Sequence, residues 1–348
     1  MNQAIRERVA ERLRSEAVRK QIRPESLPGN AEVSEQIAAG YLDGSRELRW
    51  DEFRRICRAL DTDPLWLLSP AYQAPRLIYR NAAPPTRRRA AHIENAFLVI
   101  GEELPKARRP RLFLPNGPDD PGELLTLLDP MVSDLRDRHG DTIELYRDHR
   151  LPVLGVWEEN AFDAFLMASG SSHLVCVNLN TPDARMEFSL LHEFSHFAFD
   201  ADRDLPIDVR LTGSDLYGDR INEKARPEYI ANKFAQLWLV PWEAAQKMAM
   251  KWPNCAPCAH YIREHRVSPD VVANALYDVL RFRASPPAYQ RVQQSVRDSV
   301  PEWRGRSEIR GFVKEETRTL REQALSILED AEEGRRKEIL SAWGFADG

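Results

Sequence analysis

Residues 185–196, RMEFSLLHEFSH, carry two histidines four positions apart, His192 and His196, with an acidic residue, Glu193, directly after the first. Residues four apart share one face of an α-helix, so both imidazoles can reach a single ion. We predict a helix over about Ala184 to Asp200, and its flanking apolar positions place it in a core: Phe188, Leu190, Leu191, Phe194 and Phe197. Burying two imidazoles and a carboxylate is costly without a metal. The stretch therefore predicts a metal-binding helix. The alternative is a helix whose histidines face solvent or hydrogen-bond to other residues of the core.

A third ligand is expected from a second helical stretch, about Asn222 to Val240. A catalytic zinc site takes three protein ligands and leaves its fourth position to water. In the segment EYIAN, Glu228 and Asn232 are four apart and share a face. We expect Glu228 to bind the ion and Asn232 to hydrogen-bond a ligand imidazole. Glu223 is a rival third ligand, and a surface position is the alternative for Glu228. This ligand set suits Zn²⁺, while ligand type alone does not exclude Mn²⁺.

The chemistry predicted for this centre is peptide hydrolysis. Directly after the first ligand, Glu193 points at the open metal position, where it can take a proton from water and pass it to a leaving amine. The residue that stabilises the oxyanion is not fixed by the sequence. Tyr229, His260 and Tyr261 have suitable chemistry, and a structural role is the alternative for each.

The two helical motifs together resemble the ImmA/IrrE family of metallo-endopeptidases. The resemblance is carried by RMEFSLLHEFSH (Arg185–His196), EYIANKFAQLWLVP (Glu228–Pro241) and the later VSP–VVANAL, which is similar to the closing helix-turn-helix of that domain. It covers about a third of the chain, Phe165 to Leu280. Trp238 stands where the family usually has Leu, a difference expected to affect packing. The resemblance implies a gluzincin-like peptidase with His192, His196 and Glu228 as ligands and Glu193 as base.

The composition of the chain limits the classes of protein to which it could belong. The chain has 348 residues, of which 43% are hydrophobic and 30% charged, as in globular proteins that bury a core. A net charge of -5 gives no overall attraction to nucleic acid. The N-terminus lacks the apolar region of a signal peptide, and no stretch has the length of a membrane helix. Four scattered cysteines do not form a disulfide framework, which favours the cytoplasm. Cys255 and Cys258 form half of a zinc-binding pattern, and ordinary thiols are the simpler interpretation.

The predicted fold is α+β and mostly α, in four parts. These are a helix-turn-helix module (1–72), an Arg/Pro-rich linker (73–118), a zincin-like peptidase domain with a small sheet (119–284) and a helical tail (285–348). We predict strands at Thr142–Tyr146, Val153–Trp157, Phe162–Met167 and His173–Asn178. The tail carries a helical apolar stripe that Gly311 and Gly334 are expected to interrupt, and it should pack on the chain or on a second copy.

The N-terminal region resembles part of a DNA-binding module. Val33–Leu68 is similar to the second half of an Xre/lambda-repressor-type helix-turn-helix. That resemblance implies contacts with base edges or phosphates from five residues: Ser34, Glu35, Gln36, Arg46 and Arg49. Two features oppose DNA binding. Pro28 and Gly29 fall where the first helix of the motif belongs, and residues 1–70 balance 12 basic against 12 acidic side chains, whereas phosphate binding favours a basic face. The alternative is a repressor-like module kept for protein contacts.

The leading functional hypothesis is a cytoplasmic zinc endopeptidase that acts as a regulator. The family resemblance implies that its substrate is a transcriptional repressor, cleaved to switch genes on in stress, mobile-element or defence settings. Two hypotheses stay open beside it. One is a DNA-binding regulator whose metal domain senses or scaffolds without hydrolysis. The other is the peptidase partner of a toxin–antitoxin-like pair. A protein substrate, DNA and a second copy of the chain are the expected partners, and a membrane is not.

Overall fold

The computed structural model is mostly helical with one small sheet, as the sequence predicts. It describes residues 3–19, 22–47, 49–60, 62, 64–68, 76–79, 93, 96–97, 99–101, 103–110, 112, 114, 120–158, 162–169, 172–200, 221, 225–303, 305–329, 331 and 333–345. Within these ranges, none of the helices has the length and apolar content needed to span a bilayer.

The helices follow the chain in order, with a 3-10 turn at Pro24–Ser26. They are α1 (Gln3–Arg19), α2 (Leu27–Ala31), α3 (Glu35–Asp43), α4 (Trp50–Ala59), α5 (Pro64–Leu68), α6 (Pro121–His139), α7 (Thr142–Asp148), α8 (Asp183–Phe199), α9 (Arg226–Leu239), α10 (Trp242–Lys251), α11 (Ala256–His265), α12 (Pro269–Leu280), α13 (Tyr289–Asp298), α14 (Ser307–Ile327) and α15 (Glu333–Ala342).

The sheet has four described strands in the order β1-β3-β4-β2. They are β1 (Arg76–Tyr79), β2 (Val153–Val156), β3 (Ala164–Ser169) and β4 (Ser172–Asn178). β3 and β4 form an antiparallel pair, β2 runs parallel to β4, and β1 runs antiparallel to β3. Three of the strands lie where the sequence predicts them; β1 falls in the region predicted to be a linker.

Successive strand residues alternate between two apolar cores, one on each face of the sheet. In β4, Val175 and Val177 face a core that also contains α6, α8, α9 and α12. Leu174 and Cys176 face a second core, which also contains residues of the C-terminal helices and five earlier side chains: Ile93, Ala96, Phe97, Ile100 and Leu104. Both faces of the central strands are therefore buried.

The C-terminal tail packs on this sheet from both sides. Ile309, Phe312 and Val313 of α14 join the first core, whereas Leu320 of the same helix joins the second with Trp343. The predicted apolar stripe is thus covered by the chain itself. Gly311 and Gly334 do not interrupt it, because each lies inside a helix.

The predicted strand at Thr142–Tyr146 is wrong, since these residues form helix α7. The β-branched residues of the segment suggested a strand, but Asp141 acts as a helix cap. Its carboxylate accepts hydrogen bonds from the main-chain N–H groups of Ile143 and Glu144. These bonds satisfy two donors that the first turn of a helix leaves unpaired, and so favour a helix start.

Residues 3–68 form a separate small core from α1 to α5. Its buried side chains are Val9, Leu13, Ala17, Leu27, Ala31, Ala38, Tyr41, Phe53, Ile56, Cys57, Leu60 and Leu67. Pro24, Pro28 and Gly29 prevent one long helix, as predicted; the chain makes a 3-10 turn and then the five-residue helix α2. The assignment of this cluster as a helix-turn-helix stays a prediction.

Two glycines give a matched test of the packing between β2 and α14. A Cβ at Gly155 would lie 2.8 Å from Val313 Cγ1, whereas one at Gly311 would meet no atom within 4 Å. We expect Gly155→Ala to lower the free energy of unfolding by about 1–3 kcal/mol through overpacking. Gly311→Ala should leave it unchanged or raise it by up to about 1 kcal/mol, because alanine favours a helix. Thermal or denaturant unfolding of both variants checks this; equal stability of the two would contradict the packing.

Candidate metal centre

Helix α8 presents its histidines toward the interior. His192, Glu193 and His196 each expose 0% of their surface. The helix packs against β3 and β4 through apolar neighbours on both sides of the motif: Leu190, Leu191, Phe194 and Phe197. The sequence therefore positions three ionisable side chains where water does not reach them, and they need partners within the protein.

Helix α9 supplies the partner. Phe194 of α8 stacks on Phe234 of α9, with ring centroids 5.9 Å apart. Ala231 and Ala235 are fully buried and add little bulk between the helices. The two helices therefore pack closely, and Glu228, in the first turn of α9, meets both histidines.

The donor atoms of the three residues converge on one point. His192 Nε2 lies 3.2 Å from His196 Nε2 and 3.2 Å from Glu228 Oε2, and His196 Nε2 lies 3.3 Å from Glu228 Oε1. A tetrahedral zinc with bonds of about 2.0–2.1 Å places its donor atoms about 3.3 Å apart. The spacing thus fits three corners of such a site. Among the described residues, this is the one group of three or more His, Cys, Asp or Glu side chains close enough to share an ion.

The electrostatics of the cluster favour positive charge. Burial alone would lower the pKa of His196, but hydrogen bonds to Asp200 and Glu228 outweigh it and raise that pKa to about 10. Burial would likewise raise the pKa of Glu228, yet the two imidazoles hold it well below its ordinary value. Because three carboxylates surround two imidazoles, a proton or a divalent cation is stabilised there. A metal would displace the proton, since ligand imidazoles bind in their neutral form.

Asp200 completes the environment of His196 and was not predicted. Its carboxylate Oδ2 lies 3.1 Å from His196 Nδ1, the nitrogen opposite the converging Nε2. A carboxylate in this position fixes the tautomer and orientation of a ligand imidazole. The signal was present in the sequence, because Asp200 follows His196 by four residues and therefore lies on the same side of the helix end.

The structure gives the side chain of Asn232 a different hydrogen-bond partner from the predicted imidazole. Its side-chain amide donates to the main-chain carbonyl of Glu228 at 2.7 Å, one turn earlier on α9. The carboxylate of Asp200 contacts the imidazole of His196 at Nδ1. Glu228 and Asn232 do lie one turn apart on the same helix. A short amide side chain can, however, hydrogen-bond to the main chain of its own helix instead of reaching a neighbouring one.

Glu193 lies beside the cluster without belonging to the group of three. Its charge contributes to the raised pKa of His196. It also acts, after burial, to raise the pKa of Tyr146 well above the ordinary value. Tyr146 donates its hydroxyl proton to the main-chain carbonyl of Leu190 at 2.6 Å, which fixes the tyrosine against α8. The carboxylate is therefore close to the three candidate ligands and is not one of them.

The three candidate oxyanion residues have other surroundings. Tyr261 donates its hydroxyl proton to the main-chain carbonyl of Leu239, and His260 pairs with Glu264 on the exposed face of α11. The pKa of Tyr229 is raised by burial and then by Asp278, a residue of α12 outside the cluster. A role for any of the three in stabilising an oxyanion stays a prediction.

A buried ion pair also fixes helix α9, and no pattern in the sequence indicates this pair. Lys233 Nζ lies 2.5 Å from Asp278 Oδ2, and the same oxygen accepts from Gln236 Nε2 at 2.6 Å. Lys233 and Asp278 expose 3% and 0% of their surfaces. Because a buried charge is costly without its partner, the pair ties α9 to α12 one turn beyond the ligand Glu228.

The predicted DNA-contacting residues lie on the surface of the N-terminal core. Glu35 and Gln36 are exposed, and the Ser34 hydroxyl caps α3 by accepting from Ile37 N–H. Arg46 makes a two-pronged ion pair with Glu52, with N–O distances of 2.7 and 2.8 Å. Its charge is therefore already neutralised, while Arg49 is exposed. DNA contact through these residues stays a prediction.

Two further predicted candidates do not enter the centre. Glu223, the rival third ligand, lies outside the described residues. Cys255 and Cys258 are free thiols, and burial raises the pKa of Cys258 to about 12. A thiol binds zinc as the thiolate, so this environment opposes metal binding and agrees with the ordinary-thiol interpretation.

No protein-family model, curated protein or solved structure matches the chain. The case for a function consequently depends on the geometry of the buried cluster, and the family resemblance stays a prediction.

Metal binding can be tested with two buried carboxylates of the same helix. Asp200 contacts His196, whereas Glu187 contacts Thr142 and Arg306. We expect about one equivalent of zinc per chain, lost on His192→Ala or His196→Ala. Asp200→Asn should weaken zinc affinity about 10–100-fold. Glu187→Gln should cost stability and leave the affinity unchanged.

Competition with a chelating dye measures these affinities. Wild-type protein that stays metal-free when zinc is supplied would contradict the site. Equal losses of affinity in Asp200→Asn and Glu187→Gln would contradict the role of Asp200.

Proposed function

We propose that the protein is a cytoplasmic zinc-dependent endopeptidase. The observation that carries the proposal is the convergence of His192, His196 and Glu228 at tetrahedral spacing, with Glu193 beside them and outside the donor set. Two imidazoles and a carboxylate leave one position of a tetrahedral zinc open, which distinguishes catalytic from structural sites. The sequence order HExxH followed by a glutamate on a second helix supports the same class.

Zinc bound by these residues would lower the pKa of a water molecule and polarise a carbonyl group. The catalytic role in this chain belongs to Glu193, whose carboxylate accepts the proton of the attacking water and transfers it to the leaving amine. Burial suits this work, since a low-dielectric site strengthens the interaction of the carboxylate with the reacting groups.

The remaining residues hold the centre in place. Asp200 orients His196 through its Nδ1, so that Nε2 stays directed at the ion. Glu228 contributes the charge that favours a dication over a proton. The Lys233–Asp278 pair keeps α9, and with it Glu228, in position against α12. None of these residues has to move a proton during the reaction.

The proposed substrate is a protein, and a transcriptional repressor is the class that the family resemblance favours. The N-terminal module supports a regulatory role through its likeness to repressor helix-turn-helix domains. Its balanced charge, and the Arg46–Glu52 pair within it, favour recognition of a protein over DNA.

Replacing Glu193 separates chemistry from metal binding. Glu193→Gln should keep zinc and thermal stability, because the side chain is not a ligand. Cleavage should fall by about 10²–10⁴-fold, because an amide cannot accept the proton of water. A repressor-cleavage or fluorescent-peptide assay measures the rate, with zinc content as the control. Cleavage at the wild-type rate would contradict the assignment of Glu193 as base.

Salt titration tests the N-terminal module. We expect weak DNA binding without sequence preference, because residues 1–70 carry no net positive charge. Gel-shift measurements at several salt concentrations check this, since the slope of affinity against salt counts neutralised phosphates. Tight, sequence-selective binding that Arg49→Ala abolishes would contradict the preference for a protein partner and restore the DNA-binding regulator.

A further inference from the structure

Each of the two central strands is flanked by a described strand, β3 by β1 and β4 by β2. At the β2 edge, the Gly155 N–H donates to the Thr317 hydroxyl of α14 at 2.7 Å, and Val313 packs directly over the glycine. A peptide could pair there only by displacing a helix that belongs to both cores. At the opposite edge, β1 pairs with β3 from Arg76, opposite Ala168, to Tyr79, opposite Phe165. A peptide would therefore displace β1 more easily than α14.

Strand β3 packs against α8, the helix that carries His192 and His196. Arg76 of β1 is opposite Ala168 of β3, and Ala168 is opposite His173 of β4. The ring of His173 contacts that of Phe197, with centroids 5.0 Å apart, and Phe197 directly follows the ligand His196. Strands β3 and β4 both pack against α8, so β1 lies one strand spacing, about 4.8 Å, from a strand that touches this helix.

The centre itself is closed to solvent. His192, Glu193 and His196 are 0% exposed and Glu228 is 3% exposed. A polypeptide can therefore reach the ion only after part of the chain moves. A four-residue strand that pairs along one side is held by few hydrogen bonds and opens at a small fraction of the cost of global unfolding.

We propose that β1 occupies the edge at which an extended substrate segment binds, and that β1 must leave β3 before the substrate reaches the metal centre. This inference rests on the proposed function. It assigns β1 an autoinhibitory role, because an extended segment can pair with β3 there only after β1 has left. Main-chain hydrogen bonds supply the affinity in such pairing, so that many sequences can compete with β1.

Two replacements of residues 76–79 distinguish the effect of losing the β1–β3 pairing from the effect of changing the β1 sequence. Gly-Gly-Ser-Gly has low strand propensity and should release the edge, whereas Thr-Val-Thr-Val is a strand-forming quartet of equal length and should keep it covered. The probe is a fluorescent peptide that copies residues 73–82, added to the full-length zinc-loaded protein. A Glu193→Gln background prevents its cleavage.

We expect the Gly-Gly-Ser-Gly variant to bind the peptide about tenfold more tightly than the other two proteins, because apparent affinity scales with the fraction of molecules whose edge is open. Hydrogen exchange of residues 164–169 should be faster in this variant and slow again when the peptide binds. With Glu193 restored, the cleavage rate should rise by a similar factor.

The outcomes distinguish this inference from the proposed function. Equal peptide affinity in all three proteins, or exchange of residues 164–169 that the Gly-Gly-Ser-Gly replacement does not change, would overturn the autoinhibitory strand. Tighter peptide binding by that variant, together with no cleavage by any protein, would support the strand exchange and refute the peptidase.

Discussion

The constraint on which the rest of the structure depends is the burial of negative charge between two helices. Glu193, Asp200 and Glu228 lie with two imidazoles in a region that exposes almost no surface. Such a cluster is stable only if positive charge is present at its centre. The free-energy cost of one uncompensated buried carboxylate is larger than the free energy gained from any single apolar contact. If a metal supplies that charge, its binding and the folding of the chain are coupled.

The surrounding packing maintains that cluster. Stacked rings of Phe194 and Phe234 set the separation of α8 and α9, and the Lys233–Asp278 pair fixes α9 from its other side. Asp200 then restricts the rotation of His196. The geometry of the three candidate ligands is thus determined by interactions one layer away from them.

Short-range periodicity explains what could be predicted from the sequence. Spacings of four residues identified His192 with His196 and placed Glu228 on a second helix, because helical faces depend only on local order. The same rule would have found Asp200. It failed for residues 142–146, where the cap by Asp141 outweighed the β-branched residues.

Long-range contacts explain the rest. The pairing of β1 with β3 joins residues about 90 positions apart, from Arg76 to Ala168, and nothing local to either segment specifies it. Lys233 and Asp278 meet across two helices in the same way. The composition of residues 73–118 suggested a linker, yet the described part of it contributes a strand and buried apolar side chains such as Phe97.

The two-sided sheet has a consequence for how the protein could have evolved. A boundary near residue 284, drawn from composition, would leave Leu154, Phe165 and Cys176 without the helices that cover them. The C-terminal helices cannot then be exchanged as a separate module, because their loss exposes the outer face of the sheet that supports α8. Substitutions on that face and on α14 must compensate one another. We expect the two to be inherited together, whatever sequence the N-terminal core acquires.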